Sequence, residues 1–483
     1  MGTYCAHTRQ FLIGNEAKEI KENWKSVKIA EDLYLSHCLS LSVQKAEDLS
    51  GKEWHLLGIA IQTDKEKPDP LTQIGTSLTD GVKEIYKSWT GRWILVGNNE
   101  IHIDCSGSLG CFYTKINGER WISSSLAILQ EIGSLSPRPD TLKYESGIEW
   151  YPLPMSRFKG VDKLLPSQFL NLKTFNPEQR ALPKPISGLS YNEILEKITE
   201  KLKFSLLNVS NSGKRIFLPL TAGHDSRLLL AAVQYAGIKV ETVTTAYPKI
   251  AYSDFSLPFK LSKAAGYNHK YIRKSKFSKD NEELYDYHNA RNTDHIHKIW
   301  FSHGQYDFFK KNDVILRGGI FEVARCFYWK KMDSNLSIES IFKAWRRVKY
   351  DHESFHVRAL TEWVKWVKQT PTEGLDWRDR FYLEQRVGGW LSSGEQALDL
   401  TDTERLHIIN CHDLISLLLS IPVEKRRTSE HHVDLINKMY PSLLLYPFNR
   451  PDPRFKKLQK KISRISKMPL YDIYKKLKKV SIQ

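Results

Sequence analysis

Apolar and polar residues alternate in short runs through the first third of the chain. Four such runs are candidate strands: Leu33–Ser42, Trp54–Gln62, Trp93–Val96 and Ile101–Asp104. The pairs Asn98-Asn99 and Asn117-Gly118 are typical of tight turns between strands. This part of the sequence therefore predicts a β-rich domain.

The periodicity changes beyond a loop-like stretch at 181–188, which contains Pro183 and Pro185. Apolar residues then recur every fourth position from Ile194 to Leu206, which predicts a helix over Ser190–Asn208. We therefore place a domain boundary near residue 185, between a domain at 1–185 and a second domain at 186–452.

The second domain alternates strand-like and helix-like runs. The strand candidates are Arg215–Leu220, Lys239–Thr245 and Val314–Leu316, and the helix candidates are Leu228–Tyr235 and Leu257–Ala265. Strand, turn and helix in this order predict a parallel sheet with helices on its faces. Residues 335–445 are expected to be mostly helical.

Composition fits two folded domains, since 41% of the 483 residues are hydrophobic and 26% are charged. The sequence has no apolar run long enough for a membrane span and no secretory signal at its start, so we expect a cytoplasmic protein. Six cysteines without a CxxC pair predict free thiols. His431 and His432 are expected to be surface residues instead of metal ligands.

Much of the formal charge of +17 lies near the end of the chain. Eleven Lys and Arg residues and one acid, Asp472, lie between Arg454 and Lys479. The apolar positions among them predict a basic helical tail over 453–483. We favour a solvated helix pair that packs on the body over a segment that docks onto anionic lipid or another polyanion.

Small and hydroxyl residues follow the first strand of the second domain, in the segment LPLTAGHDSR at Leu218–Arg227. Backbone N–H groups at such a turn, together with the start of the next helix, can bind phosphate. Thr221 and Ser226 can donate hydrogen bonds to it, and Asp225 can hold Mg²⁺. The segment is not a Walker A loop. An ordinary βα turn with a capped helix explains the segment equally well.

This segment resembles the Ser-Gly-Gly-x-Asp-Ser loop of PP-loop ATP pyrophosphatases, with Thr221 and Ala222 in place of the first Ser and Gly. Residues 316–328, LRGGIFEVARCFY, resemble the asparagine synthetase segment that carries a second Mg²⁺-binding acid, at Glu322 here. Val323 departs from that pattern, because the family has a further acid there. The resemblance implies Mg²⁺ ligands at Asp225 and Glu322. It implies nucleotide-binding positions at Leu220, Thr221, Gly223, Ser226, Thr245 and Gly318.

Two catalytic positions follow only from the resemblance. Residues 406–422 resemble the family region next to a glutamate that acts in ligation, and Glu404 falls on that glutamate. A surface helix carboxylate is the alternative reading of Glu404. Residues 440–450 resemble the segment that carries the family's catalytic lysine, where Arg450 can stabilise developing charge but cannot act as a base.

The first half resembles class II glutaminase domains at Trp89–Trp93 and at Asp104–Tyr113. A glutaminase of that class needs a cysteine as its first residue, with a free amine beside the thiol. Cys5 is internal and lacks the motif that surrounds such a cysteine, so we expect a buried structural residue. The resemblance therefore implies an Ntn-hydrolase-like α+β sandwich without glutaminase activity.

These features predict an α/β protein in which that sandwich precedes a PP-loop, adenine nucleotide α hydrolase-like domain with a helical C-terminal part. The implied activity is an ATP- and Mg²⁺-dependent, AMP-forming ligase that adenylates a carboxylate and forms an amide with ammonia or an amine. Intramolecular amide closure, as in lactam-forming relatives, is equally open. Two alternatives stay open: a PP-loop enzyme that modifies RNA, which the glutaminase-like half disfavours, and a non-catalytic nucleotide-binding descendant. A homodimer also stays open.

Overall fold

The computed structural model describes residues 5–22, 24–138, 150–247, 250–273, 277–293, 295–344, 353–449, 451 and 453. The basic tail predicted at 453–483 lies outside these residues except for Pro453. Secondary structure within the described part begins with twelve strands: β1 (Phe11–Gly14), β2 (Trp24–Ala30), β3 (Leu33–Cys38), β4 (Val43–Glu47), β5 (Glu53–Gln62), β6 (Trp89–Gly97), β7 (Glu100–Ile103), β8 (Phe112–Ile116), β9 (Glu119–Ser123), β10 (Asp162–Lys163), β11 (Gln168–Asn171) and β12 (Asn176–Gln179).

Three α-helices lie between these strands in the described residues: α1 (Pro70–Gly75), α2 (Val82–Ile85) and α3 (Leu126–Ile132). Five strands follow in the described residues of the second half: β13 (Ile216–Pro219), β14 (Glu241–Thr245), β15 (His269–Ile272), β16 (Val314–Arg317) and β17 (Glu404–His407). The remaining α-helices of the described chain are α4 (Tyr191–Ser210), α5 (His224–Ala236), α6 (Tyr252–Ala264), α7 (Lys279–His288), α8 (His295–Trp300), α9 (Tyr306–Phe308), α10 (Ile338–Lys343), α11 (Phe355–Gln369), α12 (Trp377–Phe381), α13 (Ser392–Leu398), α14 (His412–Leu419), α15 (Val423–Thr428) and α16 (Glu430–Met439). A π-helical segment, Tyr382–Leu391, joins α12 to α13.

Two antiparallel sheets pack face to face in the first half, with strand orders β10-β8-β9-β1-β3-β2 and β12-β11-β7-β6-β5-β4. Side chains alternate along β5 because successive residues of a strand point to opposite faces. Leu57 enters the core between the two sheets, whereas Trp54 and Leu56 pack on the outer face against residues of α1 and α2. Because α3 covers the outer face of the other sheet, the layers run helix, sheet, sheet, helix.

The predicted strands and turns of this half agree with the structure in most places. Asn98, Asn99 and Asn117 have φ values of 48°, 59° and 53°, as the turn signals require. The run predicted at Leu33–Ser42 ends early, because the chain turns after Cys38 and the Leu41 N–H donates to the Cys38 carbonyl. Cys5 was expected to be buried and is exposed, so that prediction is wrong.

The second half contains one parallel sheet with the strand order β15-β14-β13-β16-β17. The chain passes from β13 outward to β15 and then returns to the other side of β13. The carboxyl ends of β13 and β16 therefore flank the point where the strand order reverses, which is where open α/β sheets bind ligands. The protein is thus a mixed α/β structure with two antiparallel sheets and a parallel sheet.

Buried polar contacts join the two halves. The Arg92 guanidinium forms two hydrogen bonds with the Asp399 carboxylate, at 2.5 and 2.6 Å, and both side chains are buried. The Asn410 amide donates to Asp104 Oδ1 at 2.7 Å, and the Thr90 hydroxyl donates to the Ile408 carbonyl at 2.6 Å. Their contact surface is therefore fixed by directional hydrogen bonds and not only by apolar packing.

All six cysteines are free thiols, as predicted, and five of them are buried. Among the helices of the described residues, none combines the length and the apolar content that a membrane crossing requires.

Candidate active site

The turn between β13 and α5 is the centre of the candidate site. Helix α5 begins after Gly223, which has no side chain to accept hydrogen bonds from the first turn of the helix. It ends at Gly237, whose φ of 69° suits a glycine C-cap. Because the first N–H groups of a helix lack partners within the helix, the start of α5 offers donors to an anionic ligand.

Hydroxyl groups hold this turn in shape. The Thr221 and Ser226 hydroxyl oxygens lie 2.9 Å apart, and the Thr221 N–H donates to Ser226 Oγ at 3.1 Å. The Gly223 N–H donates to Thr221 Oγ1, and the Ala222 N–H donates to Asp254 Oδ1 at 2.9 Å. The turn is thus preformed, with the Asp254 carboxylate of α6 bracing its backbone.

The buried Arg227 ties the C-terminal part of the described chain to the turn. Its guanidinium donates to the carbonyls of Tyr446 at 2.6 Å, Pro447 at 2.8 Å and Ala222 at 3.2 Å. The same group lies over the Phe448 ring at 3.9 Å from its centroid. These contacts hold the segment 446–449 against the turn Thr221–Ser226.

A cavity of about 300 Å³ opens beside the turn at the carboxyl ends of the strands. Its lining includes six residues that the resemblance marked: Leu220, Thr221, Asp225, Ser226, Thr245 and Gly318. A Cβ atom on Gly318 would lie 3.4 Å from the Asp225 backbone, so a small residue lets β16 approach the start of α5. Gly223, the remaining predicted nucleotide position, lies on the turn as the N-cap of α5.

Asp225 lies in the first turn of α5 between two basic side chains. Its Oδ2 is 3.5 Å from Arg325 Nη1, and its Oδ1 is 2.9 Å from His432 Nε2. Neither Oδ1 nor His432 Nε2 forms a well-aligned hydrogen bond within the described chain, although both atoms are shielded from solvent. Burial raises the pKa of Asp225 and lowers that of His432 to about 3.

His431 and His432 were predicted to lie at the surface, and that prediction is wrong. Both are fully buried in α16, which packs on α5. His431 Nδ1 lies 3.0 Å from the Lys425 carbonyl, and His431 Nε2 lies 2.8 Å from His432 Nδ1. The buried apolar residues Leu435, Ile436 and Met439 lie on the same inward face of α16, and His432 contacts the Asp225 carboxylate.

Glu322 reaches the same region from the helical turn Phe321–Arg325, which follows β16. Burial raises its pKa, and the nearby charge of Asp225 raises it further. The Tyr382 hydroxyl donates to the Gly319 carbonyl at 2.9 Å and lies 3.4 Å from Glu322 Oε2. The two predicted Mg²⁺-binding acids therefore interact electrostatically, although they are 97 positions apart in the sequence and Glu322 does not line the cavity.

The structure does not bring Glu404 to this cavity. Glu404 pairs with Val314 at the amino end of the parallel sheet, whereas the turn at Thr221 follows the carboxyl end. Glu404 is buried as the first residue of β17, so it is not a helix carboxylate, and it bonds with Lys214 and contacts Arg9. Arg450, the second predicted catalytic residue, lies outside the described residues.

The residues present fit a magnesium–nucleotide complex and not a metal site made by the protein alone. Within the described chain, no three His, Cys, Asp or Glu side chains gather into a cluster that could hold a metal ion. Magnesium in proteins commonly takes one or two carboxylates and completes its shell with phosphate and water oxygens. Asp225 and Glu322 offer that number of carboxylates, and Oδ1 of Asp225 lacks a hydrogen-bond donor.

Sequence patterns missed four residues that shape the site: Arg227, Arg325, His432 and Gln305. Each contributes through a distant partner, such as the Gln305 amide, which donates to Thr245 Oγ1 at 3.1 Å. Only Arg227 carried a signal, since it is a charged residue that follows the turn Thr221–Ser226 directly and precedes the apolar run Leu228–Val233.

No protein-family model matches the chain, and no curated protein sequence matches it significantly. Among solved structures, the chain is similar to glutamine phosphoribosylpyrophosphate amidotransferase from B. subtilis complexed with ADP and GMP. The two sequences are 10% identical, the match covers 66% of this chain and 71% of that chain, and the TM-score is 0.22. The chain is also similar to a structure of the allosteric regulatory enzyme of purine biosynthesis, with 10% identity, 64% and 68% covered, and a TM-score of 0.22. At TM-scores this low, neither likeness assigns a function to this chain.

Proposed function

We propose that the chain is an ATP-dependent, AMP-forming ligase of the PP-loop, asparagine synthetase-like kind. It adenylates a carboxylate and transfers the acyl group to ammonia or an amine. The observation that carries this proposal is the Thr221–Ser226 turn with Asp225 beside a cavity of about 300 Å³, which Asp225 lines and Glu322 does not. The charge of Asp225 acts on Glu322 from there. The strand order, with its reversal between β13 and β16, supports the PP-loop assignment.

In this proposal, several groups around the turn Thr221–Ser226 bind the triphosphate together. The N–H groups at the start of α5 and the hydroxyls of Thr221 and Ser226 donate to phosphate oxygens. Magnesium, bound by Asp225 and Glu322, would neutralise phosphate charge. Arg325 adds positive charge 3.5 Å from Asp225. These groups together favour charge on the departing pyrophosphate.

The proposed reaction has two steps. A carboxylate oxygen attacks the α-phosphorus of ATP, and the bond from that phosphorus to the bridging oxygen breaks, so pyrophosphate leaves with the electron pair. The amine nitrogen then attacks the acyl carbon, AMP leaves, and the nitrogen loses a proton. Adenylation is required because a free carboxylate is a poor electrophile, whereas AMP is a good leaving group.

In this proposal, the N-terminal half is a glutaminase-like domain without glutaminase activity. Its layers of helix, sheet, sheet and helix suit that assignment. Cys5 follows Tyr4 in the chain, so its nitrogen belongs to a peptide bond and is not the free amine that a nucleophile of that class uses. Free ammonia or the amine of a second substrate is the proposed nitrogen source.

Exchange of labelled pyrophosphate into ATP, measured with a panel of carboxylates, tests the ligase. The proposal expects exchange that depends on one class of carboxylate and falls at least about a hundredfold in Asp225→Asn. Asp280→Asn is the matched control, because Asp280 is an exposed acid in the first turn of α7. Exchange that is unchanged in Asp225→Asn contradicts the proposal.

A nucleotide-binding protein without catalysis is the second candidate. Val323, at the position of the family's further acid, is 1% exposed and packs in the core, so no second carboxylate follows Glu322. Binding of ATP without exchange for any carboxylate in the panel would favour this candidate.

A further inference from the structure

A second cavity, of about 230 Å³, lies at the junction of the two halves. It is bounded by α2, β6, β7 and β11, by the end of β12 and the residues after it, and by His412 at the start of α14. It shares no lining residue with the cavity beside Thr221. The proposed nucleotide site therefore gives this second cavity no role.

Aromatic rings form much of its wall. The rings of Tyr86 and Trp93 have centroids 5.5 Å apart, and those of Trp89 and Trp93 are 5.6 Å apart. His102 continues this cluster, since its ring centroid lies 5.4 Å from that of Tyr86 and it stacks on Phe169 at 5.2 Å. These flat apolar faces suit a planar ring, and the volume, below the usual range for drug-sized ligands, suits one or two fused rings.

The charges that line the cavity favour an anion. Lys83, Lys87 and Arg180 line it with a single acid, Glu84. Glu84 pairs with Lys87, and Lys83 pairs with Glu100. The guanidinium of Arg180 donates to backbone carbonyls, and no carboxylate of the described chain pairs with it. A cationic ligand, which aromatic cages otherwise bind, would be repelled here.

Three polar atoms of the wall are buried and lack hydrogen-bond partners within the described residues. They are Trp93 Nε1 and both ring nitrogens of His412. His412 Nδ1 lies 3.6 Å from the nearest Asp413 carboxylate oxygen, which is too far for a hydrogen bond. An indole N–H only donates, so it requires an acceptor, and leaving it unpaired costs free energy.

We propose that this cavity binds a small aromatic or heteroaromatic carboxylate. Its ring packs on this aromatic cluster, and its carboxylate accepts hydrogen bonds from the Trp93 indole and the His412 imidazole near Arg180. The site is independent of nucleotide chemistry, so a protein defective at Asp225 retains it.

Four probes of similar size test the proposal by saturation-transfer NMR and calorimetry on the full chain. Benzoate and indole-3-carboxylate carry both a ring and a charge, benzamide lacks the charge, and cyclohexanecarboxylate lacks the aromatic ring. Benzoate or indole-3-carboxylate is expected to bind at least tenfold more tightly than the two controls. Equal binding of all four, or no binding at millimolar concentration, overturns the proposal.

Variants locate the site. Trp93→Phe removes the N–H and keeps a ring, and it is expected to weaken carboxylate binding about tenfold. Trp24→Phe is the matched control, since Trp24 is another buried tryptophan with an unpaired indole nitrogen, in a different core. Lys83→Gln, at the half-exposed rim, gives a milder test that spares the core and is expected to weaken binding several-fold. Unchanged affinity in both Trp93→Phe and Lys83→Gln contradicts the assignment.

Discussion

His432 Nε2 lies 2.9 Å from Asp225 Oδ1, at the end of a chain of two buried histidines. The Lys425 carbonyl can only accept a hydrogen bond, so His431 carries its proton on Nδ1 and accepts through Nε2. His432 then donates from Nδ1 and presents an unprotonated Nε2 to the carboxyl group. Burial raises the pKa of Asp225 and lowers that of His432, so it shifts each group toward its neutral form.

The affinity for Mg²⁺–ATP is expected to rise with pH through the pKa of Asp225, which burial places above its ordinary value of 3.8. Metal binding requires the carboxylate and therefore displaces the proton. Titration of a fluorescent ATP analogue between pH 5 and 8 measures this dependence, and Asp225→Asn should remove most of it. Affinity that falls as pH rises would contradict the proposed metal role.

Replacing Arg227 by Lys should loosen the segment 446–449. A lysine cannot reproduce the hydrogen bonds that the guanidinium donates to the carbonyls of Tyr446, Pro447 and Ala222. We expect a loss of about 3 kcal/mol in the free energy of unfolding and weaker ATP binding. Urea denaturation and ATP titration measure the two effects.

Arg157→Lys is the control for that variant. Arg157 is only partly buried, and its guanidinium donates a long hydrogen bond of 3.3 Å to the Arg291 carbonyl. Equal losses in Arg157→Lys and Arg227→Lys would refute the anchoring role of Arg227.

Gly91 should tolerate no side chain. Its φ is 113°, and a Cβ atom there would lie 2.1 Å from the Ile59 carbonyl oxygen of the paired strand β5. Gly188 is the control, because it has a φ of 83° but no atom within 4 Å of such a Cβ. Its substitution therefore measures the cost of backbone strain without a steric clash. Urea denaturation should show a loss of at least about 3 kcal/mol for Gly91→Ala and about 1 kcal/mol for Gly188→Ala. Similar losses would mean that the clash is relieved.

Stability should fall as the pH falls below the ordinary histidine pKa of 6.5. Burial lowers the pKa of His288 to about 3, so between these values the unfolded chain binds a proton that the folded protein does not. The free energy of unfolding therefore rises with pH in this window, by up to about 1.4 kcal/mol per pH unit for this residue.

Thermal or urea melts between pH 7.5 and 5 measure that slope. His288→Gln should reduce the slope even though it also removes the bond to the Gln396 carbonyl. His303→Gln, at a half-buried position, controls for the loss of an imidazole. A slope in His288→Gln equal to that of the unchanged protein would refute the assignment.

Local patterns predicted the elements that place the site, because strand and helix periodicity needs only near neighbours. The short run at β13, the small residues after it and the apolar face of α5 lie within about twenty residues of one another. The positions of Glu404 and His432 could not be predicted in this way. Strand direction puts Glu404 at the wrong end of the sheet, and packing of α16 on α5 brings His432 to Asp225 across 207 positions.

The strand, turn and helix pattern predicted the turn at Thr221–Ser226 but not the charges around it. Arg325 approaches Asp225 from the turn that carries Glu322, and its own Nε donates to Ser429 Oγ at 3.0 Å. That arrangement depends on three separate elements meeting, which a single sequence does not encode as a motif. No sequence motif marks His431 and His432 either. Their burial depends on how α16 packs against the rest of the protein.

A crystal structure of the protein with ATP and Mg²⁺ tests the central claim most directly. We expect the triphosphate on the turn at Thr221–Ser226, with one metal ion contacting both Asp225 and Glu322. Nucleotide bound elsewhere, or an empty turn at saturating ATP, would contradict the proposed nucleotide site.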